Sequence, residues 1–96
     1  MLTEKDKTTI REISKKYSAK RVLLFGSGID PKIESSDIDI AVIMNTIDDY
    51  LETSKKINKL TRGIDTRIEP VLLQSNEDSS GFLSTVLNTG ITLYSN

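Results

Sequence analysis

The 96-residue chain contains neither cysteine nor histidine. Without cysteine there is no disulfide framework, no thiolate nucleophile and no thiolate zinc site. Without histidine, a Ser-His-Asp triad, an imidazole general base and imidazole metal ligation are all excluded. Any bound metal must be held by oxygen, which points to Mg²⁺ or Mn²⁺. Long apolar stretches are missing as well: Ile40 to Met44 is the longest run, far short of the ~20 residues that span a bilayer. The segment Met1-Leu2-Thr3-Glu4-Lys5-Asp6 has no apolar core that could act as a secretory signal. The expectation is a soluble, cytoplasmic protein with no membrane association. Nor is there an excess of charge. Thirteen basic and fourteen acidic residues give −1, which argues against strong direct binding to nucleic acid by bulk charge. A net charge so close to zero also does little to keep molecules apart, leaving homo- or hetero-oligomers open.

What is present fits one domain over residues 1–96, below the usual domain size, with 36% apolar residues for a modest core. Residues 4–17 read as a helix, with Thr3 and Asp6 in a capping-box relation and Ile10, Ile13 and Tyr17 on one side. The first 21 residues carry seven basic side chains (Lys5, Lys7, Arg11, Lys15, Lys16, Lys20 and Arg21) against three acidic ones (Glu4, Asp6 and Glu12). This charge reads as the solvated face of an amphipathic helix, with a docking surface for an acidic partner as the alternative.

Arg21 to Phe25 is a short apolar run ending at Gly26 and predicts a buried strand. Gly28 to Ser36 reads as a loop or short irregular helix, and Asp37 to Met44 as a second strand. Residues 47–61 predict a helix with Ile47, Tyr50, Leu51, Ile57 and Leu60 inward and Gly63 as its stop. A third strand spans about Arg67 to Leu73. Its Pro70 lacks a ladder donor, which sends the strand to a sheet edge. A last helix near Ser80–Asn88, closed by Gly90, precedes an extended tail from Ile91 to Tyr94. This order predicts an α/β (α+β) sandwich of helices on a mixed three- to four-stranded sheet.

Asp37 and Asp39 are two residues apart on a strand and therefore share a face, with Ile38 and Ile40 on the other. Two such carboxylates repel unless a cation lies between them, and a divalent ion gives the pair a reason. The competing reading is a solvated strand start. Gly26-Ser27 after the first strand adds close backbone approach and a hydroxyl, the ingredients of a phosphate cradle. Glu69, between apolar residues in the third strand, is the leading third carboxylate, and Asp65 ranks behind it. An exposed, aggregation-blocking edge charge is the alternative for Glu69.

Leu24-Phe25-Gly26-Ser27 followed by Ser36-Asp37-Ile38-Asp39-Ile40-Ala41-Val42 resembles the minimal nucleotidyltransferase (MNT) domains of the DNA polymerase β superfamily. The ending Gly90-Ile91-Thr92-Leu93-Tyr94 is similar to the tail after their last helix. The resemblance implies the nucleotidyltransferase fold with strand order 1-2-3. It also implies that Gly26 and Ser27 hold the nucleoside triphosphate, with Ser36 and Lys32 as further nucleotide-binding candidates. Asp37, Asp39 and Glu69 would then be the catalytic metal ligands for Mg²⁺ (or Mn²⁺). The implied activity is transfer of a nucleoside monophosphate, AMP from ATP, to a protein hydroxyl, in an antitoxin paired with a HEPN-domain ribonuclease toxin. The alternative is a catalytically degenerate MNT domain that neutralises by binding or senses nucleotide. Three features depart from the family pattern. Many relatives carry arginines after Gly-Ser, where this chain reads Gly28-Ile29-Asp30-Pro31-Lys32, that loop is about a residue shorter than is common, and the third acid is Glu where Asp is more usual. Two divalent ions, three carboxylates and a triphosphate together remain net negative. Lys32, Arg62 and Arg67 are the candidates to offset that charge.

Overall fold

The structure, a computed structural model, describes residues 2–26, 37–77 and 81–96. The first helix, α1 (Glu4–Lys16), starts where two backbone donors find side-chain acceptors. The Asp6 N–H donates to Thr3 Oγ1 and the Thr3 N–H to Asp6 Oδ2, both at 3.1 Å, closing a capping box. Acidic residues in the first turn and lysines in the last complement the helix dipole. Ile10 and Ser14 are buried, and Ser14 Oγ donates to the Ile10 carbonyl at 2.7 Å.

β1 (Arg21–Phe25) and β2 (Ile38–Met44) pair antiparallel, while β3 (Ile68–Gln74) lies parallel to β2. The chain reaches β3 through α2 (Tyr50–Ile64), then forms α3 (Phe82–Thr89) and β4 (Ile91–Ser95). The sheet order is β3-β2-β1-β4. The expected 1-2-3 order is kept, and the C-terminal tail adds a fourth strand antiparallel to β1, with a bulge opposite Val22/Leu23. Pro70 sits on edge strand β3, where its missing N–H costs no central ladder bond.

Helices cover both faces of the sheet. On one, α1 and α2 enclose Val22, Ile38, Ile40, Val42, Ile57, Ile68 and Leu72. On the other, α3 covers Leu23, Ala41 and Ile43 with Leu83 and Val86. β2 is buried on both faces from Ile40 to Met44, which explains its unbroken apolar run.

The second helix corrects three expectations. It begins at Tyr50 behind Asp49, whose side chain accepts from the Glu52 N–H at 3.1 Å, so Ile47 precedes the helix and packs on the core from the loop. Gly63 does not stop it. The helix runs to Ile64, and Asp65 caps it with its N–H on the Thr61 carbonyl. Its inner face is Ile57 and Thr61, whereas Tyr50, Leu51 and Leu60 are exposed. Thr61 hides its hydroxyl by donating to the Ile57 carbonyl at 2.8 Å, so a buried polar residue holds a position the apolar pattern did not mark.

Two glycines should respond oppositely to alanine. A Cβ at Gly63 meets nothing within 4 Å, so Gly63→Ala should stabilise by about 0.5–1 kcal/mol through the unfolded chain and helix propensity. A Cβ at Gly90 would lie 2.6 Å from the Val86 carbonyl oxygen and 3.1 Å from that of Leu24. Gly90→Ala should therefore cost about 1–3 kcal/mol. Urea denaturation of both variants checks the pair, and a destabilised Gly63→Ala or a neutral Gly90→Ala would contradict this packing.

Candidate active site

Strand pairing places the acidic residues. Ile38 and Ile40 point into the α1–α2 core, so the pleat turns Asp39 toward the face that carries α3. Asp39 lies in register with Phe25 of β1 on one side and Glu69 of β3 on the other. Glu69 follows buried Ile68 and thus shares the Asp39 face. The two carboxylates therefore occupy adjacent strands, neighbours about 4.8 Å apart along the ladder direction. Asp37 stands just before β2, two residues from Asp39. Asp39 is half-buried, while Asp37 and Glu69 are exposed. Among the described residues, no three acidic side chains converge into a finished metal-ligand set.

Gly26 closes the end of β1 at φ +73°, a left-handed conformation that disfavours other residues. A Cβ there would come within 3.0 Å of Asp39 Oδ2. The missing side chain thus keeps open the space beside this carboxylate at the end of β1. Ser27, Lys32 and Ser36 lie outside the described residues.

The donor set fits a hard divalent cation: carboxylate oxygens only, two of them in register and the third exposed nearby.

Asp65, the second-ranked third acid, has a different role. Its Oδ2 accepts from Arg67 Nη2 at 2.7 Å, while Oδ1 accepts from Arg67 Nε at 3.1 Å and from the Arg67 N–H at 2.9 Å. These hydrogen bonds, side chain first, pull its carboxyl down from 3.8 to about 2, and they raise Arg67 above its ordinary value. The pair neutralises itself, so Arg67 offers less counter-charge to a phosphate than a free arginine would. An aromatic wall was also illegible from the sequence. Phe25, opposite Asp39, meets Phe82 of α3 edge-to-face at 5.5 Å between ring centroids. The only sequence signal was an aromatic residue directly before Gly26.

A carboxyl lowered in the folded state stabilises above its unfolded pKa and loses that contribution as the pH falls. Asp65→Asn should therefore lower the melting temperature at pH 6, and the gap to the parent should close between about pH 4 and pH 2. Thermal unfolding followed across that range checks it. A gap that persists unchanged at pH 2 would contradict the ion pair.

Comparisons with known proteins bear on the fold that carries these residues. A chain from the complex of tri-AMPylated Shewanella oneidensis HEPN toxin with MNT antitoxin superposes with a TM-score of 0.69 at 22% identity, over 99% of this chain and 74% of that one. A second Shewanella oneidensis crystal structure superposes with a TM-score of 0.65 at 20% identity, again over 99% and 74%. A search of curated proteins found no match. Residues 8–96 match the family "Polymerase beta, Nucleotidyltransferase". With Gly26, Asp39 and Glu69 gathered at one end of a mixed sheet, the chain belongs to the polymerase β nucleotidyltransferase family.

Proposed function

We propose that the chain is a Mg²⁺-dependent nucleotidyltransferase that moves AMP from ATP onto a protein hydroxyl, and that it serves as the antitoxin of a HEPN ribonuclease toxin. The observation that carries this reading is the in-register pair Asp39 and Glu69 beside the open bend at Gly26. The fold likeness to a chain from a complex of AMPylated HEPN toxin and MNT antitoxin supports the choice of group and acceptor.

In the proposed reaction the acceptor oxygen attacks the α-phosphorus and forms a new P–O bond. The bond to the bridging oxygen breaks, and pyrophosphate leaves with its electron pair. Glu69, exposed next to Asp39, accepts the hydroxyl proton, a task no histidine is available to perform. Asp37, Asp39 and Glu69 would hold Mg²⁺ (or Mn²⁺), which when bound neutralises phosphate charge and acidifies the attacking hydroxyl. Gly26 keeps side-chain bulk away from the Asp39 carboxylate, so a triphosphate can approach it.

A second reading, binding or nucleotide sensing without turnover, draws on two observations. The three acids are not closed into a ligand set, and no arginine follows Gly-Ser in the loop. The readings separate on one variant. Asp37→Asn with Asp39→Asn should reduce AMP transfer to a co-expressed HEPN toxin by a factor on the order of 10³, read as whole AMP increments by intact-mass spectrometry, and should abolish growth rescue. Rescue that survives without AMP increments would favour binding alone. With Arg67 committed to Asp65, the isolated chain should hold Mg-ATP weakly. A micromolar or tighter affinity in calorimetry would contradict that expectation.

A further inference from the structure

The near-zero net charge conceals a strong segregation. Helices α1 and α2 carry nine of the thirteen basic residues but only four of the fourteen acidic ones, a local charge of +5. The remaining residues carry four cations against ten acids. Both helices lie on the face of the sheet opposite Asp39 and Glu69.

Their arrangement lines the charges up. α1 leads into β1 and α2 follows β2 through short connections, and β1 and β2 are antiparallel, so the two helices run in opposite directions. Helical spacing places Lys55, Lys59 and Arg62 on the outer side of α2, opposite buried Ile57 and Thr61. Lys5 and Lys16 lie away from buried Ile10 and Ser14 on α1. Lys5 and Arg62 therefore stand toward one end of the helical layer and Lys16 toward the other, with Lys55 near the middle of α2 and one acid, Glu12, between Lys5 and Lys16 on the same side of α1. All five cations are exposed, and none has an ion pair among the described residues, whereas Lys7 and Lys56 are paired with Glu4 and Glu52. One turn before Lys55, Leu51 is 70% exposed, an apolar foothold within the cationic stripe.

We propose that this α1–α2 face docks an acidic amphipathic helix of a protein partner, independently of nucleotide. Charge complementarity supplies the attraction. A helix laid along the layer stays within reach of a band on the order of 20 Å long, and it is screened from the acidic remainder by a Debye length of about 8 Å. A long nucleic acid extends beyond the layer toward a remainder of the chain in which acids outnumber bases. It also finds no stacking platform, since the one exposed aromatic on these helices, Tyr50, donates its hydroxyl to the Leu72 carbonyl.

The test uses fluorescence anisotropy of the full chain with a labelled helical peptide matched to the 15 residues of α2, with glutamates on one face and leucines on the other. The expected result is saturable binding that weakens with salt and falls at least tenfold in K55E/K59E/R62E, while the neutral K55Q/K59Q/R62Q variant loses less. Asp39→Asn should bind like the parent, which separates this surface from the proposed catalysis. A control peptide with serines in place of leucines should bind several-fold more weakly. No binding by the parent, equal binding of both peptides, no effect of charge reversal in a variant with unchanged circular dichroism, or tighter binding of single-stranded poly-uridine RNA would each overturn the proposal.

Discussion

Parallel strands cannot be joined by a tight turn, so pairing β2 with β3 demands a crossover of a dozen or more residues, and α2 supplies it. This pairing sets Glu69 beside Asp39, although thirty residues separate them in the chain. It depends on Ile68 and Leu72 burying into the same core as Ile38, Ile40 and Val42. A slip of one residue would turn Glu69 into that core and Ile68 out of it. The apolar face of the edge strand thus holds the carboxylates in place, and the energy for the arrangement comes from burial on the far side of the sheet.

The division of labour between the faces follows from the same pleat. Residues of one parity along β2 feed the α1–α2 core. Those of the other begin with carboxylates near Gly26 and end under α3 as Ala41 and Ile43. α3 covers the second half of that face, and Phe82 and Phe25 form the boundary between apolar packing and acidic site. Charge is divided as well, with nine of the thirteen cations on α1 and α2 and ten of the fourteen acids outside them. A protein with this polarity can present opposite signs to two partners while its overall charge stays near zero.

Local signals defined most of the elements. The capping box at Thr3 and Asp6, the five residues of β1 and the edge position of β3 were all legible, because each rests on short-range sterics or on a missing N–H. The stop at Gly63 was misread. Glycine is a weak breaker, and the helix ends instead where Asp65 turns to bind Arg67. Tyr50, Leu51 and Leu60 were misplaced for a related reason: an apolar residue need not be buried, and hydroxyl-bearing Thr61 took an inner position by satisfying itself on the Ile57 carbonyl.

By itself the sequence determined the chemical vocabulary: no thiolate and no imidazole, a Gly-Ser pair after the first strand and acids spaced for one face of a strand. Those properties reside in residue identity and in a period of two, which need no fold to be read. Tertiary structure alone decided which acid joined which. Glu69 and Asp65 have the same parity and nearly the same position in sequence, yet strand register placed one beside Asp39, while a local guanidinium captured the other. It likewise decided that two basic helices separated by two strands pack on one core, because such packing is a long-range event that no local pattern encodes.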